Sequence, residues 1–266
     1  TAALAGGLYD ILSASIPAEH AIGVLEASVR AAKAGMTDTK TAADAITTVL
    51  NAYGLSADRA ADVSDWLFQV VKRGKTTFAE LAPSIGVVAT TAATAGVPLE
   101  EVGAALGTMT RHGIRTEMAV TALNAIISDF LSPTKESAEY ARKLGFELST
   151  TTIRAEGLAG VFKRIASLPP EAIATLFPNV RALRGVLPAL QNMEGFLGDI
   201  TIMSERAGAT ERAYGKMTGT LAHGFRQVKQ AGLEVLRTIG EALADKVKEA
   251  AEAIKNMLLY VAGFIS

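Results

Sequence analysis

The sequence predicts an all-α protein, with a compact multi-helix domain of short antiparallel helices followed by a long amphipathic or coiled-coil helix. Three observations carry that prediction. Between Ala31 and Pro133, alanine-rich stretches stop at Gly35, Gly54, Gly74, Gly96 and Gly113 and restart at Thr37, Ser56, Thr77, Pro98 and Thr116. Glycine adopts the left-handed conformation that closes a helix, and a short side-chain oxygen or an N1 proline opens one. The 266 residues are 49% hydrophobic but only 6% aromatic, and mean hydropathy is +0.27. Small and aliphatic side chains of that kind suit close helix packing. From Leu233 onward the apolar spacing changes to a heptad.

The elements follow in order. A first helix is expected over 2–13, and Pro17 at N1 starts a second over 18–34, with Ala21, Val24, Leu25 and Val29 facing inward. A third, over 38–51, carries the stripe Ala42, Ala45, Ile46, Val49 and Leu50. Ser56 caps a fourth in which Ala60, Val63, Trp66, Leu67, Val70 and Val71 recur at helical spacing, placing the single tryptophan in mid-helix on the apolar face. Thr77 and Glu80 form a capping box. Pro83 comes too late to be N1, so it either delays the helix start to about residue 82 or kinks a longer helix.

Pro98, Glu100 and Glu101 open the next helix, which closes at His112-Gly113. Another runs over 116–131. Ser132-Pro133 then reads as a cap and N1 pair for a helix over 134–144 that ends at Gly145. Residues 146–153 alternate and are β-branched, the pattern of a short extended segment or hairpin arm. Helix resumes over 158–167, after which Pro169, Pro170, Pro178 and Pro188 break the chain into short pieces. Two regions are therefore expected, a compact helical domain over 1–190 and an elongated helical region over 191–266.

In that second region Leu233, Gly240, Val247, Ile254 and Val261 take one seam position and Leu236, Leu243, Ala250, Met257 and Phe264 the other. The self-association seam is assigned to Leu233, Leu236, Leu243, Val247, Ile254, Met257 and Val261, with an amphipathic helix docked on its own domain as the alternative. The end of the sequence, 257–265, is apolar but short of the roughly 20 residues that span a bilayer. Leu258, Leu259, Phe264 and Ile265 are its candidate membrane-contact residues. A start at Thr1 and an end in mid-pattern lead us to expect a piece of a longer chain.

The sequence carries little recognisable chemistry. The 26 basic and 27 acidic residues nearly cancel, so no net field draws the chain to nucleic acid or an anionic membrane. Cysteine is absent, which removes disulfides and thiolate metal sites. His20, His112 and His223 form no ligand pair, so no metal site is expected. There is no Gly-x-Ser-x-Gly elbow, and Gly103-Ala-Ala-Leu-Gly107 lacks the Lys-Ser or Lys-Thr of a phosphate loop. Its small residues are read as a close helix approach. Lys72-Arg73-Gly74-Lys75 and the set Arg226, Lys229 and Arg237 have no interleaved aromatics, which argues against sequence-specific nucleic-acid recognition. No cofactor and no enzymatic activity are expected.

Several segments together resemble a known family. These are Ala31-Ala-Lys-Ala-Gly-Met-Thr-Asp-Thr39, Val49-Leu-Asn-Ala-Tyr-Gly-Leu55, Ala60-Ala-Asp-Val-Ser-Asp65 and Ala95-Gly-Val-Pro-Leu-Glu-Glu101. Ala104-Ala-Leu-Gly107, His112-Gly-Ile114, Thr121-Ala-Leu123, Ser132-Pro-Thr134, Leu144-Gly145, Leu176-Phe-Pro178 and Val180-Arg-Ala-Leu183 continue the series. In order and spacing they resemble the core region of phage tail tape measure proteins over most of residues 1–190. One departure is Asn124, which stands where the family pattern has an arginine. The resemblance implies a structural protein in the tail-tube lumen of a long-tailed phage that sets tail length, leaves before DNA passes and aids passage through the host envelope. It implies as partners further copies of itself as a trimer, the tail tube protein, tail tip and distal tail proteins, tail assembly chaperones and the host inner membrane. Localisation would be the virion, with host cytoplasm during assembly. The alternative is a stand-alone membrane-active, pore-forming helical protein.

Overall fold

Helix follows helix throughout the computed structural model, which describes residues 2–219 and Glu252; among these there is no strand. In chain order the helices are α1 Ala2–Ser13, α2 Ala18–Ala34, α3 Thr39–Tyr53, α4 Ala60–Arg73, α5 Phe78–Ala95, α6 Leu99–Arg111, α7 Thr116–Leu131, α8 Lys135–Lys143, α9 Thr150–Ile165, α10 Pro170–Leu176, α11 Val180–Gln191 and α12 Met193–Ser204. A 3-10 turn, Ala57–Arg59, precedes α4, and a further helix starts at Ala209. Thr1–Tyr214 forms one unit and Gly215–Ser266 a second. The first therefore takes in α12, beyond the residue 190 at which the sequence places its second region. The heptads from Leu233 to Val261 lie outside the described residues.

Apart from the start of α4, the expected boundaries hold closely from α1 to α7, and the caps explain why. The Asp38 carboxylate accepts the Thr41 amide at 2.8 Å. Thr77 and Glu80 make the reciprocal capping box, at 3.2 Å and 3.0 Å. Pro83 lies inside α5, so of the two readings the longer helix is the one formed. Pro17 and Pro98 occupy N-cap rather than N1 positions. Ser56 makes no side-chain cap bond and starts the 3-10 turn instead of α4. Ser132 is the C-cap of α7, and Thr134, accepting the Ser137 amide at 3.1 Å, starts α8.

The glycine stops divide into two physical kinds. Gly54, Gly96 and Gly113 are left-handed, with φ of 60°, 77° and 90°. Gly35 has φ −92°. There a Cβ would stand 2.3 Å from the Phe78 ring, so it is lack of space that excludes a side chain.

Two expectations after α8 fail. Residues 146–149 form a loop that buries Phe146 and Leu148, and Ser149 caps α9 at once, so 150–153 are helical rather than extended. The Ser149 hydroxyl and the buried contacts of Ile153 outweigh the β-branched propensity of three threonines. Pro188 does not break the chain; it sits inside α11.

The core joins these helices through full burial of Trp66, Phe78, Phe130, Phe162, Phe177 and Phe196. α5 packs between α3 and α7, and α6 between α4 and α12. The Trp66 indole donates to the Leu99 carbonyl at 2.8 Å. A Cβ on Gly103 would lie 2.4 Å from that indole nitrogen, which confirms the close approach read from the small residues of α6.

Candidate functional site: a buried ionic clamp on α12 and the turn after it

Charge is concentrated where the last described segment of the first unit, α12 and the turn after it, crosses α4 and α6. Asp199 sits in the middle of α12 among Phe196, Leu197, Ile200, Ile202 and Met203. Its side chain is 0% exposed. Arg73 at the end of α4 donates to one carboxylate oxygen at 2.7 Å. Arg111 at the end of α6 donates to the other at 2.6 Å. A fully buried carboxylate is tolerated because two guanidinium groups repay its lost hydration.

A second cluster lies around Arg206 in the turn that follows. Its side chain is 8% exposed and forks onto both oxygens of Asp62, at 2.7 Å and 2.8 Å. The remaining nitrogen donates to Glu100 at 2.6 Å and to the Met203 carbonyl at 2.8 Å. Burial alone would raise the Asp62 carboxyl, but the hydrogen bonds from Arg206 and Arg59 outweigh it and hold Asp62 below the usual carboxylate range. The same pairs raise Arg206 despite its burial.

A third set closes the segment. Asp65 of α4 accepts the Gly208 amide at 2.6 Å and the Thr210 amide at 2.7 Å, capping the helix that starts at Ala209 from outside that helix. Ser64 and Thr210 share a hydroxyl bond at 3.0 Å. Arg30 of α2 pairs with Glu211 and lies 5.7 Å from the Tyr214 ring centre. Apolar contact supports the ionic one, with the Phe196 and Phe162 rings 5.5 Å apart.

This arrangement holds and orients; it presents no nucleophile with its base. Among the described residues no group of three or more His, Asp or Glu is placed to hold a metal. His20 sits 3.6 Å from Glu19, and the His112 ring meets the Thr108 carbonyl at 2.9 Å, as the helix-end reading has it. The seam residues Leu233, Leu236, Leu243, Val247, Ile254, Met257 and Val261, and the membrane-contact residues Leu258, Leu259, Phe264 and Ile265, lie outside the described residues, as does His223. Among the described helices only α5 is long and apolar enough to cross a membrane, and its Phe78, Leu81, Ile85, Val88 and Ala92 are buried in the core. The sequence reading missed Asp199 and Arg206. The available signal was a single carboxylate in an otherwise apolar helix, followed by an arginine just past that helix's end.

The chain is similar to known proteins over most of its length. Residues 1–186 match the family described as phage-related minor tail protein. The chain is 28% identical over 270 residues to a probable tape measure protein of Clostridium phage phiCD119, covering 94% of this chain and 28% of that protein. It is 23% identical over 257 residues to the tape measure protein of Pneumococcus phage Dp-1, covering 97% of this chain and 21% of that protein. It thus spans about a quarter of the length of these curated relatives. No solved structure gives a significant match. With most of its compact unit matched in this way, an all-helical chain in which ionic pairs clamp the closing segment belongs to the phage-related minor tail protein family, as part of the phage tail tape measure family that its two relatives represent.

Proposed function

We propose that this chain is the helical core portion of a tape measure protein, a structural and assembly component of the phage tail rather than an enzyme. The observation that carries the reading is the family match over 1–186, joined to two phage relatives, one a tape measure protein and the other a probable one. In this proposal the compact unit is a folded block on a long helical chain inside the tail-tube lumen. The whole protein sets tail length and leaves before DNA passes. Its partners are the tail tube protein, tail tip proteins and assembly chaperones, and it contacts the host inner membrane during ejection. The seam from Leu233 to Val261 joins copies of the chain, as a trimer, at the start of the rod.

The clamp suits such a role physically. A block at the end of a long rod has to resist pulling on the segment that leaves it, and the pairs at Asp199 and Arg206 tie that segment to two helices.

The test is tail length in the phage that encodes the chain. An in-frame deletion of helical residues from the same reading frame, outside 1–214, is expected to shorten the tail by about 1.5 Å per residue in electron micrographs. Tails of unchanged length would sink the proposal. Dye release from liposomes by the chain alone, abolished by Leu258→Glu with Val261→Glu, would favour the membrane-active alternative instead.

A further inference from the structure

Twelve arginines fall among the described residues, and in nine of them the guanidinium has a hydrogen-bonding partner: a carboxylate for Arg30, Arg59, Arg73, Arg111, Arg164 and Arg206, a carbonyl for Arg142, Arg154 and Arg212. The remaining three, Arg115, Arg181 and Arg184, have none among the described residues, and all three line one depression of about 390 Å³. Its floor is Met118, Thr121 and Ala122, and Glu117 supplies the single acid. Arg115 immediately precedes α7; Arg181 and Arg184 lie on the first turns of α11, three residues apart and so on one face. The two helices pack tightly just beyond, where a Cβ on Gly185 would stand 2.9 Å from that of Ala122. The arginines are therefore carried on rigid elements. Three like charges gathered at one depression repel one another, and an anion seated among them turns that repulsion into attraction.

The surroundings indicate which anion. A second depression of about 380 Å³ shares Arg115 and Glu117 with the first. A third, of about 520 Å³, shares Ala79 and Pro83 with the second. Sharing these residues they form one groove, whose second and third parts follow the first half of α5 while the first lies against α7 and α11. Beyond the arginines that groove is lined by Glu80, Asp10 and Asp44, with Lys40 as its one cation. A polyphosphate running along it would meet carboxylates, and no aromatic side chain lines it to stack a base. A polypeptide that carries carboxylates at one end only meets neither difficulty. We propose that this groove binds an extended segment of a partner polypeptide whose acidic end is held by Arg115, Arg181 and Arg184. The proposal is independent of the tail-length reading, since it rests on the groove alone.

The test uses the 266-residue chain and a fluorescein-labelled peptide of four glutamates followed by a glycine-serine tail, read by anisotropy at low ionic strength. The peptide is expected to bind. Arg181→Ala with Arg184→Ala should weaken it by about tenfold or more. Lysine at the same two positions should weaken it less, because charge survives while the two-pronged geometry is lost. Glu117→Gln should tighten binding by removing the one acid, and Arg142→Ala on α8 should change nothing. Both arginines of the double variant are exposed, so its thermal melt should match that of the parent chain. An oligothymidylate that binds as tightly as the peptide overturns the choice of partner. Peptide binding that is absent, indifferent to the double arginine variant, or weakened by Glu117→Gln overturns the site.

Discussion

At the scale of single residues, Gly157 and Glu101 show how a position unremarkable in sequence becomes fixed by its neighbour. Gly157 has φ 66° in the middle of α9, which divides that helix into two segments. The Leu158 amide at the start of the second segment donates to the Glu101 carboxylate from α6. Burial raises the Glu101 carboxyl, and that amide opposes the rise. Read in sequence, Glu101 was a first-turn acid serving its own helix; in the fold it also caps another. A Cβ on Gly157 would stand 2.3 Å from a carboxylate oxygen of Glu101. Gly157→Ala combines left-handed strain with that collision, and is expected to lower stability by roughly 1–3 kcal/mol in urea unfolding. Gly215→Ala, whose Cβ would meet nothing within 4 Å, should be close to neutral.

At the scale of elements, α12 is held differently from the helices before it. α3 and α5 bury continuous apolar stripes, and their stability comes from contact area. α12 buries Phe196 and Met203 but also Asp199, and the turn after it buries Arg206. Breaking such pairs from one side leaves an uncompensated charge, at a cost of about 3 kcal/mol. Asp199→Ala is expected to show a loss of that order in urea unfolding, moderated because Arg73 and Arg111 are partly exposed and can turn to water. Arg206→Ala takes the guanidinium from Glu100, leaves Asp62 with Arg59 alone, and frees the turn that carries the Gly208 and Thr210 amides. Hydrogen exchange should then quicken across 193–214 while α3, α5 and α7 keep their protection. Uniform quickening would mean that the clamp supports the whole block rather than this segment.

At the scale of the whole molecule, buried carboxylates of opposite tendency give stability a pH dependence with an acidic maximum. Asp129 of α7 has a buried oxygen with no hydrogen-bond partner, and burial pushes its carboxyl up to about 6. A raised carboxyl favours folding while protonated, so its contribution is complete below its ordinary value near 3.8 and is lost as pH rises through about 6. Asp62 has the opposite sign: its contribution is present above about 3.8 and is lost as pH falls further. Melting temperature should therefore rise when pH is lowered from about 7 to about 5 and fall again below about 4. Asp129→Asn should remove most of the rise, leaving the part due to Glu101, and add about 1–2 kcal/mol near neutral pH, a figure reduced for the partial exposure of the side chain. A melting temperature that does not change between these two conditions would count against the assignment to Asp129.

Local signals in the sequence suffice for the fold class, for most boundaries from α1 to α7 and for the capping box at Thr77. These are local effects: glycine backbone freedom, a hydroxyl within reach of an amide three residues on, and the 3.6-residue period of apolar side chains. The sequence also carried enough ordered alanine and glycine to show the resemblance that the family match then bore out. The segment after α8 was misread because β-branched propensity is worth little against a cap and a buried apolar face, and both depend on partners distant in the chain. Only packing decides that Asp199 meets Arg73 and Arg111, that Arg206 meets Asp62 and Glu100, and that three arginines without partners among the described residues, one just before α7 and two on α11, share one groove. These pairings join residues about 90 to 145 positions apart. Nothing local distinguishes a carboxylate that will be buried from one that will be solvated, because the guanidinium groups that make burial tolerable are placed only when the helices pack.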